Sequence, residues 1–190
     1  MNGKNSATLT RRSILGAFAG VSTLVAAPAY SGVFGFLKGA GDVRRLRMYS
    51  QRTGEMLDTI YWIEGEYIEE ALGEINWFMR DWRTSETINY DVRNIDIMAA
   101  SHRLLETNEP YLLLSGYRSA KTNAMLGRNG RGVAKKSYHI KGMAADLKLR
   151  SRTVNQMAAA GLACNSGGVG KYARSNFVHI DCGPIRTWRG

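Results

Sequence analysis

Two short segments in the second half of the chain constrain its fold most. Residues 137–146 contain His139 and end in Asp146, and residues 177–181 contain His179. The chain has only 3 histidines, and two of them lie in these segments. Two imidazoles and a carboxylate are ligands that zinc accepts, and three protein ligands leave a fourth position open, as in catalytic zinc sites. The segments therefore predict a fold that brings His139, Asp146 and His179 together around one zinc ion.

Each of these residues also has an ordinary structural interpretation. A single histidine in a strand is more often a packed core residue than a ligand, and an aspartate at the end of a strand often caps it. The third histidine, His102, lies on a predicted helix and is interpreted as a surface or core residue. The zinc prediction therefore rests on the three residues together and not on any one of them.

The first 29 residues are predicted to be an export signal. Arg11 and Arg12 precede an uncharged run at 14–27, and residues 27–29 fit a small-x-small cleavage site. Paired arginines indicate the twin-arginine route; the alternatives are an ordinary Sec signal or an uncleaved anchor. The run is shorter than the ~18 apolar residues that a membrane span needs. We therefore expect a periplasmic protein with no stable membrane span after cleavage.

The charge of the chain indicates an anionic partner. Loss of residues 1–29 removes three cations and no acid, which lowers the formal charge from +10 to +7. A basic exported protein suits the anionic bacterial cell wall. Nucleic acid is disfavoured as a partner, because the lysines and arginines are scattered, no recognisable binding motif is present, and the chain carries an export signal.

Cys164 and Cys182 are the two cysteines of the chain. In an oxidising compartment such a pair often forms a disulfide, and the alternative is two buried free thiols. Both cysteines are expected in strands near the zinc ligands. Strand alternation points Cys182 away from the face that His179 and Asp181 share, which argues against Cys182 as a ligand.

The remaining pattern predicts one α+β domain at 43–190, after a flexible glycine-rich lead-in at 30–42. A small, mostly antiparallel sheet is expected to carry the zinc site, with helices packed on it. The glycine-rich, basic segment at 127–136 is expected to be a surface loop. Hydrophobic periodicity predicts helices at 68–80, 92–106 and 153–160, and strands at 45–51, 55–63, 111–115, 144–149, 168–172 and 177–182.

The pattern Ser-x-His-x-x-Gly-x-Ala-x-Asp, followed by a strand with one more histidine, resembles the zinc D-alanyl-D-alanine peptidase family. That family belongs to a wider group with lysostaphin-type enzymes and hedgehog signalling domains. Within it, the chain is most similar to a branch of small murein endopeptidases exported by the twin-arginine route. The likeness extends from about residue 43 to the C-terminus. Its further motifs are Thr53-Gly54-Glu55, Arg80-Asp81, residues 115–119, Thr122-Asn123-Ala124, residues 167–170 and residues 177–188.

The resemblance implies a zinc metallopeptidase that hydrolyses cross-links or stem peptides of peptidoglycan, with His139, Asp146 and His179 as the ligands of Zn²⁺. It also implies that Arg118 faces the substrate, where a guanidinium can grip a carboxylate bidentately or polarise the scissile carbonyl. Without the resemblance, Arg118 reads as a loop arginine in solvent. Ser137 is expected to hydrogen-bond a ligand or the substrate, or only to shape its turn.

The general base is where the chain departs from the family. Better-known members carry an acid three residues before the last ligand, and here that residue is Asn176. Asp181, on the same strand face as His179, is assigned the catalytic role, and the alternative is that it orients a ligand imidazole. Asn176 also favours an alternative function, that of a non-catalytic, zinc-containing cell-wall-binding module. The sequence leaves open which cross-link is cut and in which oligomeric state the chain works.

Overall fold

The structure, a computed structural model, describes residues 42–128 and 133–190. All of these residues belong to one compact unit. The predicted export signal, the lead-in up to residue 41 and residues 129–132 of the predicted loop lie outside the described residues. No helix in the described part of the chain is long and apolar enough to cross a membrane.

The described residues form eight strands, four α-helices and one 3₁₀ turn. The strands are β1 (Val43–Ser50), β2 (Met56–Ile63), β3 (Glu66–Tyr67), β4 (Tyr111–Ser115), β5 (Ala144–Lys148), β6 (Gly168–Tyr172), β7 (Phe177–Asp181) and β8 (Arg186–Arg189). The helices are α1 (Glu69–Phe78), α2 (Val92–Leu104), α3 (Ala120–Arg128) and α4 (Val154–Ala163), and the 3₁₀ turn is Tyr138–Lys141. Each helix and strand that hydrophobic periodicity predicted is confirmed, with shifts of a few residues at its ends.

All eight strands join one sheet in the order β3-β2-β1-β4-β5-β7-β6-β8. Strand β1 pairs with β4 in parallel, β6 pairs with β8 in parallel, and the other neighbours are antiparallel. The α+β class is therefore confirmed, but the prediction of a small antiparallel sheet is wrong, because the sheet is large and mixed. The sequence prediction omitted β3 and β8, which form the two edges. It also gave no account of how β1 meets β4 after a long crossover through α1 and α2.

The helices cover the sheet and close the core. Helix α2 packs on β1 and β7, α4 packs on β6 and β7, and the two helices contact each other. Asp91 caps α2 by accepting from a backbone N–H, and Thr153 forms a capping box with Gln156 at the start of α4. The side chains of Met98 and Ile180 are fully buried between these layers, and each such burial stabilises the fold by about 1.5–3 kcal/mol. The packing holds β7, which carries His179, against helices α2 and α4.

The two cysteines are free and buried. Cys164 is the C-cap residue of α4, so the prediction that it lies in a strand is wrong. Its thiol contacts the Ala160 carbonyl at 3.3 Å, and the thiol of Cys182, which follows β7, contacts the Met143 carbonyl at 3.7 Å. Burial raises the pKa of both thiols to about 12. Of the two alternatives for the pair, the structure shows two buried free thiols.

Candidate metal centre

Three elements bring the predicted ligands to one point. His139 lies in the 3₁₀ turn that leads into β5, Asp146 lies in β5, and His179 lies in the neighbouring strand β7. Asp146 and His179 are direct partners in the antiparallel register of β5 and β7. Directly opposed residues place their side chains on the same face, with Cβ atoms ~5 Å apart. The sheet therefore presents a carboxylate and an imidazole side by side, and the turn adds the second imidazole.

The donor atoms of these residues form a small triangle. His139 Nε2 lies 3.2 Å from Asp146 Oδ1 and 3.2 Å from His179 Nδ1, and His179 Nδ1 lies 2.9 Å from Asp146 Oδ1. Tetrahedral ligands at 2.0–2.2 Å from a zinc ion lie ~3.4 Å from one another. All three residues are buried, and in the described part of the chain they are the group suited to hold a metal ion. The donor set and its spacing fit zinc.

The His139 ring is oriented by a backbone carbonyl. Its Nδ1 lies 2.7 Å from the carbonyl oxygen of Gly116, which can only accept, so Nδ1 carries the proton and Nε2 keeps its lone pair. Ser137 caps the 3₁₀ turn, because its hydroxyl accepts from the His139 backbone N–H at 3.3 Å. Gly142 ends the turn in the left-handed region, with φ of 65°. The turn chemistry thus aims Nε2 at the other two donors.

Asp181 orients the second imidazole, that of His179, from the side of the ring opposite Nδ1. Its Oδ2 lies 3.0 Å from His179 Nε2, on the opposite edge of the ring from Nδ1. The carboxylate is fully buried and accepts further hydrogen bonds from Arg186, the Gly183 backbone and the Gly168 backbone. Burial by itself would raise the pKa of Asp181, but the hydrogen bonds from His179 and Arg186 lower it to about 2. Asp181 is therefore an ionised acceptor that holds the Nε2–H of His179.

Arg118 contacts the ligand carboxylate. Its Nη2 donates to Asp146 Oδ2 at 2.6 Å, and its Nε donates to the Ser115 hydroxyl at 2.8 Å. The ion pair with Arg118 occupies Asp146 Oδ2 and leaves Asp146 Oδ1 directed at the two imidazoles. The structure therefore places Arg118 beside the three predicted ligands and gives it a contact with Asp146 that the sequence did not indicate.

Comparison with known proteins identifies the family. The family profile described as "Peptidoglycan L,D-endopeptidase MepK" matches residues 38–188. The chain belongs to this family. It is 42% identical over 145 residues to the Peptidoglycan L,D-endopeptidase MepK of Escherichia coli K12, covering 76% of this chain and 80% of the relative. It is 36% identical over 148 residues to the Probable peptidoglycan L,D-endopeptidase MepK of Haemophilus influenzae, covering 77% and 80%.

Membership of the MepK family confirms the resemblance drawn from the sequence motifs. Among solved structures, the Serratia marcescens L-Ala D-Glu endopeptidase ChiX matches with a TM-score of 0.35 and 18% identity, over 50% of this chain and 68% of that chain. That similarity is too low to bear on the site. The distances among His139, Asp146 and His179 in this chain therefore carry the site.

The charge states of the ligands in this MepK-family chain suit a cation. Burial would raise the pKa of Asp146, but His139 and His179 lower it well below its usual range. Burial lowers the pKa of His139, so this imidazole is neutral and its Nε2 is free to coordinate. Burial would lower the pKa of His179, but the hydrogen bonds that its ring donates to Asp146 and Asp181 raise it. A metal at this point competes with a proton on His179, so its affinity falls at acid pH.

The loop that carries Gly116 and Arg118 is held by a buried acid that the sequence analysis did not assign. Asp81 accepts from the backbone N–H and the hydroxyl of Ser119, both at 2.9 Å. Tyr117 donates its N–H to the Met79 carbonyl at 2.8 Å. At Gly116 any side chain would overlap the Met79 carbonyl. The Arg80-Asp81 motif was the sequence signal that could have indicated this acid. Asp81 holds the loop in place through Ser119.

The three candidate ligands lie at the wall of a cleft of about 620 Å³. Its lining contains one side-chain carboxylate among the described residues, that of Asp146, and four cationic side chains: Arg118, Lys136, Arg186 and Arg189. Ser137 also lines the cleft. Asn176 is exposed in the turn before β7, with φ of 52°, a conformation that asparagine tolerates. The cleft is thus electropositive and suits an anionic substrate.

Proposed function

We propose that this chain is an exported, zinc-dependent endopeptidase that cleaves peptide bonds of peptidoglycan. The observation that carries the proposal is the triangle of His139 Nε2, Asp146 Oδ1 and His179 Nδ1 at the wall of a cleft, in a chain of the MepK family. The names of the relatives specify an L,D-endopeptidase, so we propose the L,D cross-link as the bond that this chain cleaves.

His139, Asp146 and His179 would hold the zinc ion. When bound, zinc supplies a Lewis acid and an activated water at neutral pH. The protein contributes the rest: Gly116 and Asp181 keep the proton on the far nitrogen of each imidazole, so that the near nitrogen of each ring faces the ion.

Arg118 is proposed to bind substrate from the floor of the cleft. Its guanidinium lines the cleft while Nη2 and Nε are held by Asp146 and Ser115. A fixed guanidinium is pre-organised to stabilise negative charge that develops on a scissile carbonyl, or to bind a stem carboxylate. Ser137, at the same wall, is proposed to contact the substrate backbone.

Arg118→Ala is expected to lower turnover on muropeptides by ~10²-fold, because removal of one donor to developing charge has an effect of this size. Zinc content should be retained, since the three ligands remain. The measurement is turnover and metal content side by side, with Arg128→Ala, an exposed arginine of α3, as the matched control. Normal turnover in Arg118→Ala protein would show that Arg118 only braces Asp146.

Asp181 is proposed to position His179 and not to act as the general base. Every contact of its carboxylate is a hydrogen bond from a protein donor, and it lies behind the His179 ring. A general base must come within hydrogen-bond reach of the proton that it removes. The buried position therefore supports the orienting alternative for Asp181.

The metal requirement is tested on purified protein without its export signal. Zinc should bind at about one ion per chain, because the structure supplies one set of three converging ligands. Chelation should abolish peptidoglycan hydrolysis, and stoichiometric zinc should restore it. Protein that hydrolyses peptidoglycan at full rate after complete removal of metal would overturn the proposed mechanism.

Export through the twin-arginine route is proposed from the Arg11-Arg12 pair. Lysine substitution of both arginines should leave the precursor in the cytoplasm, because the route reads the arginine pair. Fractionation of cells followed by immunoblotting measures this, with Lys4→Ala in the same segment as the control. Normal export of the double variant would indicate the Sec route.

A second candidate is a non-catalytic cell-wall-binding module that retains zinc. It is favoured by one observation, that Asp146 supplies the single side-chain carboxylate in the described lining of the cleft. Such a module would bind zinc and peptidoglycan but release no product. Product analysis therefore separates the two candidates.

A further inference from the structure

Strand β6 contributes no side chain between β7 and β8 at position 168. Gly168 is the register partner of Asp181 on β7 and of Arg186 on β8. The Arg186 guanidinium crosses over Gly168 and donates two hydrogen bonds to the Asp181 carboxylate, at 2.7 and 3.0 Å. A Cβ atom at position 168 would overlap Arg186 Nη1 and lie 2.6 Å from Asp181 Oδ2. The glycine is what allows the ion pair to form across a strand.

The same arrangement recurs two residues further along β6. Gly170 is the register partner of His179 on β7 and of Trp188 on β8. The indole lies over Gly170, with its ring centroid 5.2 Å from that of His179. A Cβ atom at position 170 would lie 2.5 Å from Trp188 Cε2. The indole is held in place because its Nε1 donates to the Tyr172 hydroxyl at 3.0 Å.

We propose that the edge strand β8 is a positioning element of the metal centre, reaching the His179 ring across the two glycines of β6. Arg186 acts through Asp181, which holds the Nε2–H of the ring, and Trp188 packs against the ring itself. This inference rests on the proposed metal site and extends it to residues that do not touch the ion.

The physical reason for Arg186 is the burial of Asp181. A fully buried carboxylate without a cationic partner is costly, and a bidentate guanidinium supplies both charge and geometry. Without Arg186, the Asp181 carboxylate has fewer donors and a less defined orientation. The His179 ring then samples orientations in which Nδ1 no longer faces Asp146 and His139. Loss of such an outer partner weakens metal affinity by ~10–100-fold.

The test compares zinc affinity in four variants of the protein by competition with a chromophoric chelator. Arg186→Gln and Trp188→Leu are each expected to weaken zinc binding by ~10-fold or more. Arg186→Lys, which keeps the charge but not the bidentate geometry, should be intermediate. The matched control is Thr187→Ala, an exposed residue between the two on β8, which should bind zinc like the unmodified protein. Wild-type affinity in both Arg186→Gln and Trp188→Leu would overturn the proposal.

A double-mutant cycle tests whether Arg186 acts on Asp181 across Gly168. Gly168→Ala should displace the Arg186 guanidinium and crowd Asp181 Oδ2, so its effect on zinc affinity should be at least as large as that of Arg186→Gln. The double variant should then be no weaker than Gly168→Ala alone, because the contact of Arg186 with Asp181 is already lost. Additive losses would mean that Gly168 and Arg186 act independently, which contradicts the proposed route.

A metal-free measurement separates this inference from the proposed function. In metal-free protein, nitrogen NMR of the imidazoles should show an Nε2–H of His179 that exchanges slowly with solvent, because Asp181 holds it, and Arg186→Gln should speed this exchange. Unchanged exchange of the Nε2–H in Arg186→Gln protein would overturn the role of Arg186, whether or not the protein binds zinc. Failure of the unmodified protein to bind zinc, with the faster exchange present in Arg186→Gln protein, would instead overturn the proposed function alone.

Discussion

His179→Ala protein should lose its zinc and retain almost no peptidoglycan hydrolysis. The two ligands that remain, His139 and Asp146, hold the ion less tightly than three ligands do. Their donor atoms alone do not form a tetrahedral site. Because metal catalysis contributes several kcal/mol to transition-state stabilisation, we expect turnover to fall by ~10³-fold or more. The measurements are elemental analysis and hydrolysis of purified peptidoglycan.

The matched control for this variant is the third histidine of the chain. His102 lies on α2, and its Nε2 contacts the Glu109 carbonyl at 2.7 Å, outside the cleft. His102→Ala should keep its zinc content and turnover, with only a loss of thermal stability. Undiminished zinc in His179→Ala protein would remove His179 from the ligand set.

Asp181→Asn should weaken zinc binding by ~10–100-fold, and excess zinc should restore activity. Asparagine keeps the volume of the side chain, but it lacks the charge that accepts from His179 and Arg186. The measurement is turnover as a function of zinc concentration. Asp58→Asn, which changes an exposed aspartate on β2, is the matched control.

The opposite outcome identifies a general base. If Asp181 removes a proton during the reaction, Asp181→Asn should keep its zinc and lose ~10²–10⁴-fold in turnover at every zinc concentration. That result would contradict the positioning role proposed for Asp181 and, with it, the route from Arg186 to His179.

The juxtaposition of His139, Asp146 and His179 could be predicted from sequence because its signal is local and chemically narrow. The Ser137–Asp146 segment and the His179 strand each carry their residues at fixed spacing, and the register of β5 against β7 then opposes Asp146 to His179. Alternation along β7 also placed Asp181 on the same face as His179. What alternation did not indicate is which side of the ring Asp181 occupies, since this depends on Arg186 from another strand.

The two edge strands of the sheet, β3 and β8, could not be predicted from the hydrophobic pattern of the sequence. Strand β8 reads Arg-Thr-Trp-Arg, with no run of apolar residues, and β3 has two residues. Their pairing is decided by long-range contacts: β8 lies parallel to β6, with Gly168 and Gly170 opposite Arg186 and Trp188. The glycines were visible in the sequence, but their purpose depends on this register.

Mass spectrometry of muropeptides, after digestion with the protein lacking residues 1–29, tests directly whether this chain is a zinc-dependent endopeptidase. Purified dimers joined by L,D cross-links and dimers joined by D-Ala cross-links are each incubated with zinc-loaded protein, with metal-free protein and with His179→Ala protein. We predict conversion of the L,D-linked dimer to monomers by the zinc-loaded protein alone. Intact dimers of both kinds after incubation with zinc-loaded protein would contradict the proposed endopeptidase activity and favour the non-catalytic binding module.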